Sequence, residues 1–215
     1  MRDVLRILVL FSVVALLDVS VTRAQWAFDV GATLGVSRAS LDVDDATGRT
    51  AFEAGALLRL TPPKGPVALQ SEVLFAQKGT AIDANPGGEL RYGANYIQLP
   101  LLLHAVGPSI RIVTPYVQAG GFGAVKIFER QSTGGDGLRV PIETNTSFYR
   151  RFDTGLVASI GAEIAIRDQP LHLTVRHTRG FVDVADDVGT QPIPDAPFPA
   201  SGQTRVWTLR LELGL

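Results

Sequence analysis

The sequence predicts an all-β fold, namely an eight-stranded antiparallel up-and-down transmembrane β-barrel. The first observation is a strict alternation of apolar residues with small or charged residues from Phe152 to Ile166, which indicates a strand with two different faces. The second is strand length, because ordinary strands have about 5–6 residues whereas a tilted membrane-spanning strand needs about 9–11. The third is that long and short connections alternate, so that an antiparallel meander collects the long connections at one end.

The composition narrows the class of protein. The 215 residues suffice for one domain, and a net charge of −1 with a pI of about 6.3 gives no reason to expect a nucleic-acid partner. The chain contains no Cys, which excludes a disulfide framework, a thiol nucleophile and a thiolate metal site. Lys occurs only at Lys64, Lys78 and Lys126, a shortage that is unusual for the outside of a soluble β-protein.

The sequence predicts that residues 1–24 are a cleaved secretory signal peptide. A basic start with Arg2 and Arg6 precedes the apolar run Ile7–Leu17, and Thr22-Arg23-Ala24 offers small residues at positions −3 and −1 of a cleavage site. The apolar run is shorter than the ~20 residues of a spanning helix. We therefore expect residues 25–215 to form a single barrel domain that enters the membrane by its strands.

The first half of this domain contains four candidate strands, at about Trp26–Ser37, Ala51–Thr61, Val67–Lys78 and Arg91–Ala105. Ser71 interrupts the apolar face of the third, and Pro100 lies inside the fourth, where proline normally marks an edge strand or a bulge. The connections Arg38–Thr50 and Gly79–Leu90 are polar and long, whereas Pro62–Pro66 is a short, rigid turn.

The second half contains four more candidate strands, at about Val113–Phe128, Phe152–Ile166, Leu171–Arg179 and Thr204–Leu215. The short connections here are Val106–Ile112 and the turn Arg167–Pro170. The long ones are Glu129–Tyr149 and Gly180–Gln203. An even number of strands returns both ends of the domain to the end of the barrel with the tight turns.

Alternation alone does not say which face lies inside, because a soluble barrel would turn its apolar face inward. Three features favour an apolar face in lipid. The polar face is rich in small residues, its charges balance, and aromatic residues fall near strand ends as in interface girdles: Trp26, Phe28, Phe75, Phe128, Tyr149, Phe152 and Trp207. Side chains just fill the interior of eight strands, and buried charges must pair. We therefore predict a charge network in the lumen, formed by Glu53, Arg59, Glu72, Lys78, Asp153, Glu163, Arg176, Arg210 and Glu212.

The segment Tyr96-Ile97-Gln98-Leu99-Pro100-Leu101-Leu102-Leu103 resembles the PorT-like family of outer-membrane β-barrel domains. The neighbouring strands are similar too, at Glu72-Val73-Leu74-Phe75, Pro115-Tyr116-Val117 and Val175–Phe181, although His177 stands where that family more often has Tyr. The final Leu215 differs from the terminal aromatic residue that many such barrels use for assembly recognition. The resemblance implies a small exported barrel of the bacterial outer membrane. Its partners would be outer-membrane lipid and, during insertion, the barrel-assembly machinery.

Candidate chemical sites are weak in this sequence. His177 lies near Asp183, Asp186 and Asp187, but an interfacial histidine beside a solvated acidic loop is the better interpretation, so we expect no enzyme. His104 and His172 share no metal-ligand spacing. The acidic segments Asp42–Asp45 and Asp183–Asp187 do not match a calcium-binding loop, and Gly120–Gly123 is not a phosphate-binding loop because no helix follows it. We expect neither a cofactor nor a metal.

The sequence is compatible with three functional hypotheses. The first is a monomeric barrel with a packed lumen that acts in envelope structure or in surface binding through its long outer loops. The second is a porin-like protein for passive transport of small solutes, which would need a wider lumen or an oligomer. The third is a secreted soluble barrel that binds an apolar ligand in its interior.

Overall fold

The computed structural model describes residues 26–41, 46–84, 88–134, 140–141, 150–166, 169–182 and 203–214. These residues contain nine strands: β1 (Ala27–Leu41), β2 (Ala46–Thr61), β3 (Val67–Ala84), β4 (Gly88–Val106), β5 (Val113–Gly134), β6 (Val140–Pro141), β7 (Phe152–Ile166), β8 (Gln169–Gly180) and β9 (Thr204–Gly214). The predicted signal peptide, 1–24, lies outside the described residues. In the described part of the chain, no helix is long and apolar enough to cross a membrane.

Eight of the strands form a closed antiparallel barrel. Their order is β4-β3-β2-β1-β9-β8-β7-β5, and pairing of β4 with β5 closes the ring. The two-residue strand β6 pairs with β5 alone at Ser132↔Pro141 and Thr133↔Val140. Both neighbours of every barrel strand are antiparallel to it, which confirms the predicted eight-stranded fold.

The apolar face of each strand lies outside the barrel. On β9 the side chains of Trp207, Leu209, Leu211 and Leu213 are 46–58% exposed, whereas Arg210 and Glu212 between them are at most 1% exposed. The same alternation runs along β7 from Phe152 to Ile160. A closed band of exposed apolar side chains around a polar interior is the arrangement of a barrel in lipid. The hypothesis of a soluble barrel with an apolar interior is therefore wrong.

Several strands continue past the ends that the sequence predicts. The stretches Arg38–Thr50 and Gly79–Leu90, which we expected to be long loops, are mostly paired strand: the β1–β2 ladder reaches Ala39↔Arg49, and the β3–β4 ladder reaches Ala84↔Gly88. Strand β5 likewise extends to Gly134. The apolar–polar alternation of the sequence stops there, but the backbone hydrogen bonds of the ladders continue because every backbone N–H and C=O group still needs a partner.

Pro100 is not at an edge, because the closed ring has none, and it is not at a bulge. The β3–β4 ladder has the same register on both sides of Pro100, at Ser71↔Leu101 and at Leu74↔Gln98. Two residue pairs between these positions are not formed. On the other side Pro100 pairs in register with Phe122 of β5. The bulge in this ladder lies instead between Asn95 and Tyr96. Proline has no N–H to donate, and here that loss is confined to one side of one strand.

The barrel has two different ends. The connections at residues 62–66, 107–112 and 167–168 define the tight-turn end, and 167–168 lie outside the described residues. Gly65 in the first turn has a φ of 108°, a left-handed conformation that favours glycine. The opposite end, here the long-loop end, carries the β1–β2 and β3–β4 ribbons, the last residues of β5 and β8 and the first residues of β7 and β9.

Candidate functional site

The centre of the lumen is an ion pair that crosses the barrel from wall to wall. Glu72 on β3 and Arg176 on β8 belong to diametrically opposite strands, with three strands between them in either direction around the ring. The Arg176 guanidinium donates from Nη1 to Glu72 Oε2 over 2.7 Å and from Nη2 to Oε1 over 2.8 Å. Both residues are at most 1% exposed. This is the parallel two-bond geometry in which arginine binds carboxylate most strongly.

A second arginine binds the same carboxylate. Arg210 on β9 donates from Nη1 and Nη2 to Glu72 Oε2, both over 3.1 Å, and from Nη2 to Thr33 Oγ1 over 2.8 Å. Its Nε lies 2.9 Å from Glu53 Oε1, an ion pair without hydrogen-bond alignment. Glu53 thus offsets part of the positive charge that two guanidinium groups bring to one carboxylate.

Further pairs lie on either side of this centre. Towards the long-loop end, Lys78 Nζ lies 2.7 Å from Asp153 Oδ2 and 4.6 Å from the centroid of the Phe122 ring. Towards the tight-turn end, Arg59 Nη2 lies 3.5 Å from Glu212 Oε2. The buried charged residues of the described chain are thereby four carboxylates and four cations: Glu53, Glu72, Asp153, Glu212, Arg59, Lys78, Arg176 and Arg210. The buried charges of the described residues therefore balance, as the cost of burying charge requires.

Eight of the nine predicted network residues therefore lie together inside the barrel. The ninth, Glu163, does not join them. Its side chain is 33% exposed at the tight-turn end, and its carboxylate lies 4.0 Å from His172 Nε2. Glu163 lies on the inward face of β7, but it is near the end of the strand, where the lumen opens to water.

Neutral polar side chains that the sequence analysis did not select connect the charged pairs. Gln118 accepts a hydrogen bond from Arg176 Nη2 over 3.2 Å, and its Nε2 lies 3.0 Å from His104 Nδ1. Gln70 accepts from Arg59 Nε over 2.9 Å and donates to Glu72 Oε1 over 2.7 Å. Both glutamines lie on the inward face of their strands. The same alternation that selects the charged residues could therefore have identified them from the sequence.

The two buried histidines flank one tyrosine. The Tyr116 ring centroid lies 4.7 Å from that of His104 and 5.6 Å from that of His172. Tyr116 also hydrogen-bonds Thr174. A Cβ at Gly161 would overlap the Tyr116 ring, so only glycine leaves space for this side chain. Among the described residues, no group of three or more His, Asp or Glu side chains could hold a metal ion.

His177, the residue considered for catalysis, lies on the outward face. Its ring centroid is 4.5 Å from that of Trp207 on the neighbouring strand. The acidic segments Asp42–Asp45 and Asp183–Asp187 lie outside the described residues. At the tight-turn end, a cavity of about 400 Å³ is lined by residues that include Asp29, Arg59 and His172. This cavity is the mouth of the lumen that the network leaves unfilled.

A comparison with protein-family models matches residues 23–186 to a family described as outer membrane protein beta-barrel domain. A comparison with curated proteins finds no significant match.

Several solved structures are similar. Neisserial surface protein A is 12% identical, with 88% of this chain and 97% of that chain covered and a TM-score of 0.48. The outer membrane protein OprG from Pseudomonas aeruginosa is 13% identical, with 87% and 92% covered and a TM-score of 0.48. The attachment invasion locus protein Ail of Yersinia pestis, solved with a heparin analogue, is 10% identical, with 87% and 97% covered and a TM-score of 0.40.

Proposed function

Since the chain belongs to the family of outer membrane protein β-barrel domains and lies in the bacterial outer membrane, we propose that it acts through its outer surface and that its lumen is plugged. We also propose that the protein is a monomer, that it is not an enzyme and that it does not bind nucleic acid. Its partners are outer-membrane lipid and, during insertion, the barrel-assembly machinery. The likeness of the Tyr96–Leu103 segment to PorT-like barrels supports the same class of small exported barrel.

The observation that carries this proposal is the pairing of Glu72 with Arg176 across the full width of the lumen, with both side chains buried. Opening a pore through the level of this ion pair would separate two buried charges, and breaking such a pair costs about 3–5 kcal/mol. An interior of eight strands is just wide enough to be filled by side chains. The porin-like alternative needs a continuous aqueous path through the same layer.

The length of the strands supports a role at the outer surface. Strands β3, β4 and β5 have 18, 19 and 22 residues, whereas a tilted spanning strand needs about 9–11. The extra length lies at the long-loop end, which in outer-membrane barrels faces outward. Paired ribbons at this end provide a rigid surface for binding, since their backbone is already ordered before a partner arrives.

Conductance in a planar lipid bilayer tests the plugged lumen. We expect no defined current steps from the refolded mature chain, and we expect steps from the double variant Glu72→Ala/Arg176→Ala, which removes the central pair. Defined steps from the unaltered chain, at the same protein density, would overturn the proposal in favour of passive transport.

A shortened ribbon tests the surface role. Replacing residues 80–92 by Asn-Gly joins Gly79 to Gly93, which pair directly in the β3–β4 ladder, with a two-residue hairpin turn. A strain that lacks the protein would be scored for adhesion to surfaces and for detergent sensitivity. We expect the full chain to restore the lost property and the shortened chain to fail, although both reach the outer membrane as heat-modifiable barrels. Equal restoration by both chains would contradict a surface role and indicate a structural role in the envelope.

A further inference from the structure

The tight-turn end of the lumen contains a cavity of about 400 Å³, and the Arg59–Glu212 ion pair forms part of its wall. This volume lies within the range of small-molecule sites in proteins, about 300–1,000 Å³. In outer-membrane barrels the end with the tight turns faces the periplasm. A periplasmic solute therefore reaches this cavity without crossing the ion pairs at the centre of the lumen.

The charges that line the cavity do not balance. Three carboxylates line it, those of Asp29, Glu163 and Glu212, but only one guanidinium, that of Arg59. Glu212 pairs with Arg59 over 3.5 Å. Within the described residues Asp29 forms no ion pair, and Glu163 has only His172 near it, at 4.0 Å. The wall thus carries two uncompensated carboxylates, which favour a ligand with two positive charges.

The two uncompensated carboxylates lie on different sides of the mouth. Asp29 belongs to β1 and Glu163 to β7, and β9 and β8 lie between these strands in the ring of eight. Three steps around such a ring lead almost to the opposite wall. The exposed cations Lys64 and Arg111 lie in turns at the same end and do not line the cavity. A ligand that both carboxylates bind must therefore carry its two charges at separate ends.

Two buried polar atoms of the cavity wall have no hydrogen-bond partner among the described residues, His172 Nδ1 and Glu212 Oε1. Their side chains are 3% and 1% exposed and are direct partners in the β8–β9 ladder. Glu212 Oε1 lies 3.9 Å from Arg210 Nη2, beyond hydrogen-bond distance. Because His172 Nε2 faces the Glu163 carboxylate, Nε2 carries the ring proton and Nδ1 is an acceptor. An ammonium group, with three N–H donors and no acceptor, matches such a wall.

We propose that this cavity binds a small aliphatic diamine or polyamine from the periplasm. One ammonium group binds the carboxylate of Asp29, and the other binds Glu163 and the neighbouring acceptors on β8 and β9. Hydrogen bonds between an ammonium and a carboxylate are among the stronger ones in proteins, since both groups are charged. The methylene chain between the ammonium groups packs on Leu57 and Pro170, whose side chains supply apolar lining.

Isothermal titration calorimetry measures this binding directly, with putrescine as the probe and the refolded mature barrel in an uncharged detergent at neutral pH and low salt. We expect saturable binding to the unaltered chain. Asp29→Asn and Glu163→Gln should each weaken it about tenfold, because each removes a charge-assisted hydrogen bond, and the double variant should abolish it. Both carboxylates are at least partly exposed, so these variants should keep a closed barrel, which heat-modifiability verifies.

Two matched variants separate this cavity from a general attraction of cations. Gly214 lines the cavity, and a Cβ there would meet only Pro170, at 3.9 Å. Gly214→Leu therefore occupies part of the cavity while keeping every charge, and we expect it to weaken binding about as much as Glu163→Gln. Asp83→Asn/Glu89→Gln removes two carboxylates from the β3–β4 ladder at the opposite end, and we expect unchanged binding. Full binding by Gly214→Leu, or an equal loss in the variant of β3 and β4, would overturn the site.

Related cations test the chemical class of the ligand. Butylamine has the same methylene chain but one ammonium group, so we expect its binding to be about tenfold weaker. Equal affinity for butylamine would refute recognition by two carboxylates. Displacement of putrescine by an equal concentration of Mg²⁺ would replace the proposed site by one for a hard metal cation, and no binding of putrescine to the unaltered chain would refute the proposal. Since no step involves conductance or adhesion, the result is independent of the proposed function.

Discussion

Arg176→Ala is the sharpest perturbation of the lumen. It removes both hydrogen bonds to Glu72, of 2.7 and 2.8 Å, and those to Gln118 and Ser159, each of 3.2 Å. Removing one partner of a buried ion pair costs about 3–5 kcal/mol, because the other charge stays buried. Arg210 still binds Glu72 in this variant. We therefore expect a loss near the lower limit, about 3 kcal/mol.

Urea unfolding of the barrel in lipid vesicles, followed by tryptophan fluorescence and by heat-modifiability on gels, measures this loss. The matched variant is Arg176→Met/Glu72→Gln, which replaces the pair by neutral side chains of similar size. Replacing a buried ion pair by neutral side chains often changes the free energy of unfolding little. The double variant should therefore recover most of the stability that Arg176→Ala loses. A decrease below about 1 kcal/mol for Arg176→Ala would refute the reasoning, because that is the scale of a pair in water.

Three further predictions address the lipid face, the mouth and the packing. Ile160→Arg, in the middle of the outward row of β7 where Ile160 is 64% exposed, should destabilise the barrel in vesicles by about 2–4 kcal/mol; an unchanged urea midpoint would contradict a lipid-facing position. Glu163→Gln should change stability by less than about 0.5 kcal/mol, because its carboxylate is partly exposed and 4.0 Å from His172; a larger loss in the same titration would place it in the network. Gly161→Ala should cost about 1–3 kcal/mol, because the added Cβ would overlap the Tyr116 ring and meet the carbonyl oxygen of Leu173 at 2.7 Å; the variant Gly161→Ala/Tyr116→Leu should regain part of that loss.

The sequence predicts the barrel strands well wherever lipid and lumen impose different requirements on their two faces. Strand β7 begins and ends at Phe152 and Ile166, as the alternation indicates. From Arg38 and from Gly79 onward the sequence no longer alternates apolar with polar residues, although the strands continue, so the strand ends could not be located from the pattern. The strands past these points are held by backbone pairing, which leaves no periodic signal in the side chains.

The same limit applies to the lumen. The alternation along a strand shows on which face a side chain lies, but it does not show the position of that side chain along the barrel axis. It therefore selects Glu72 and Arg176 as inward residues, and equally Glu163, but it does not predict that the first two meet while the third lies at the mouth. That difference depends on the stagger of the strands around the ring, which only the three-dimensional pairing defines.

The charge network in turn helps to define that stagger. A slip of β8 by one residue would place Arg176 in lipid, which the apolar pattern already forbids. A slip by two residues keeps every side chain on its proper face, so the apolar pattern does not oppose it. Such a slip moves Arg176 along the axis by about 7 Å, beyond the 2.7 Å contact with Glu72 on the opposite wall. The resulting unpaired charges would cost about 3–5 kcal/mol. We infer that the residues proposed to plug the lumen also discriminate against the slipped registers that alternation alone would accept.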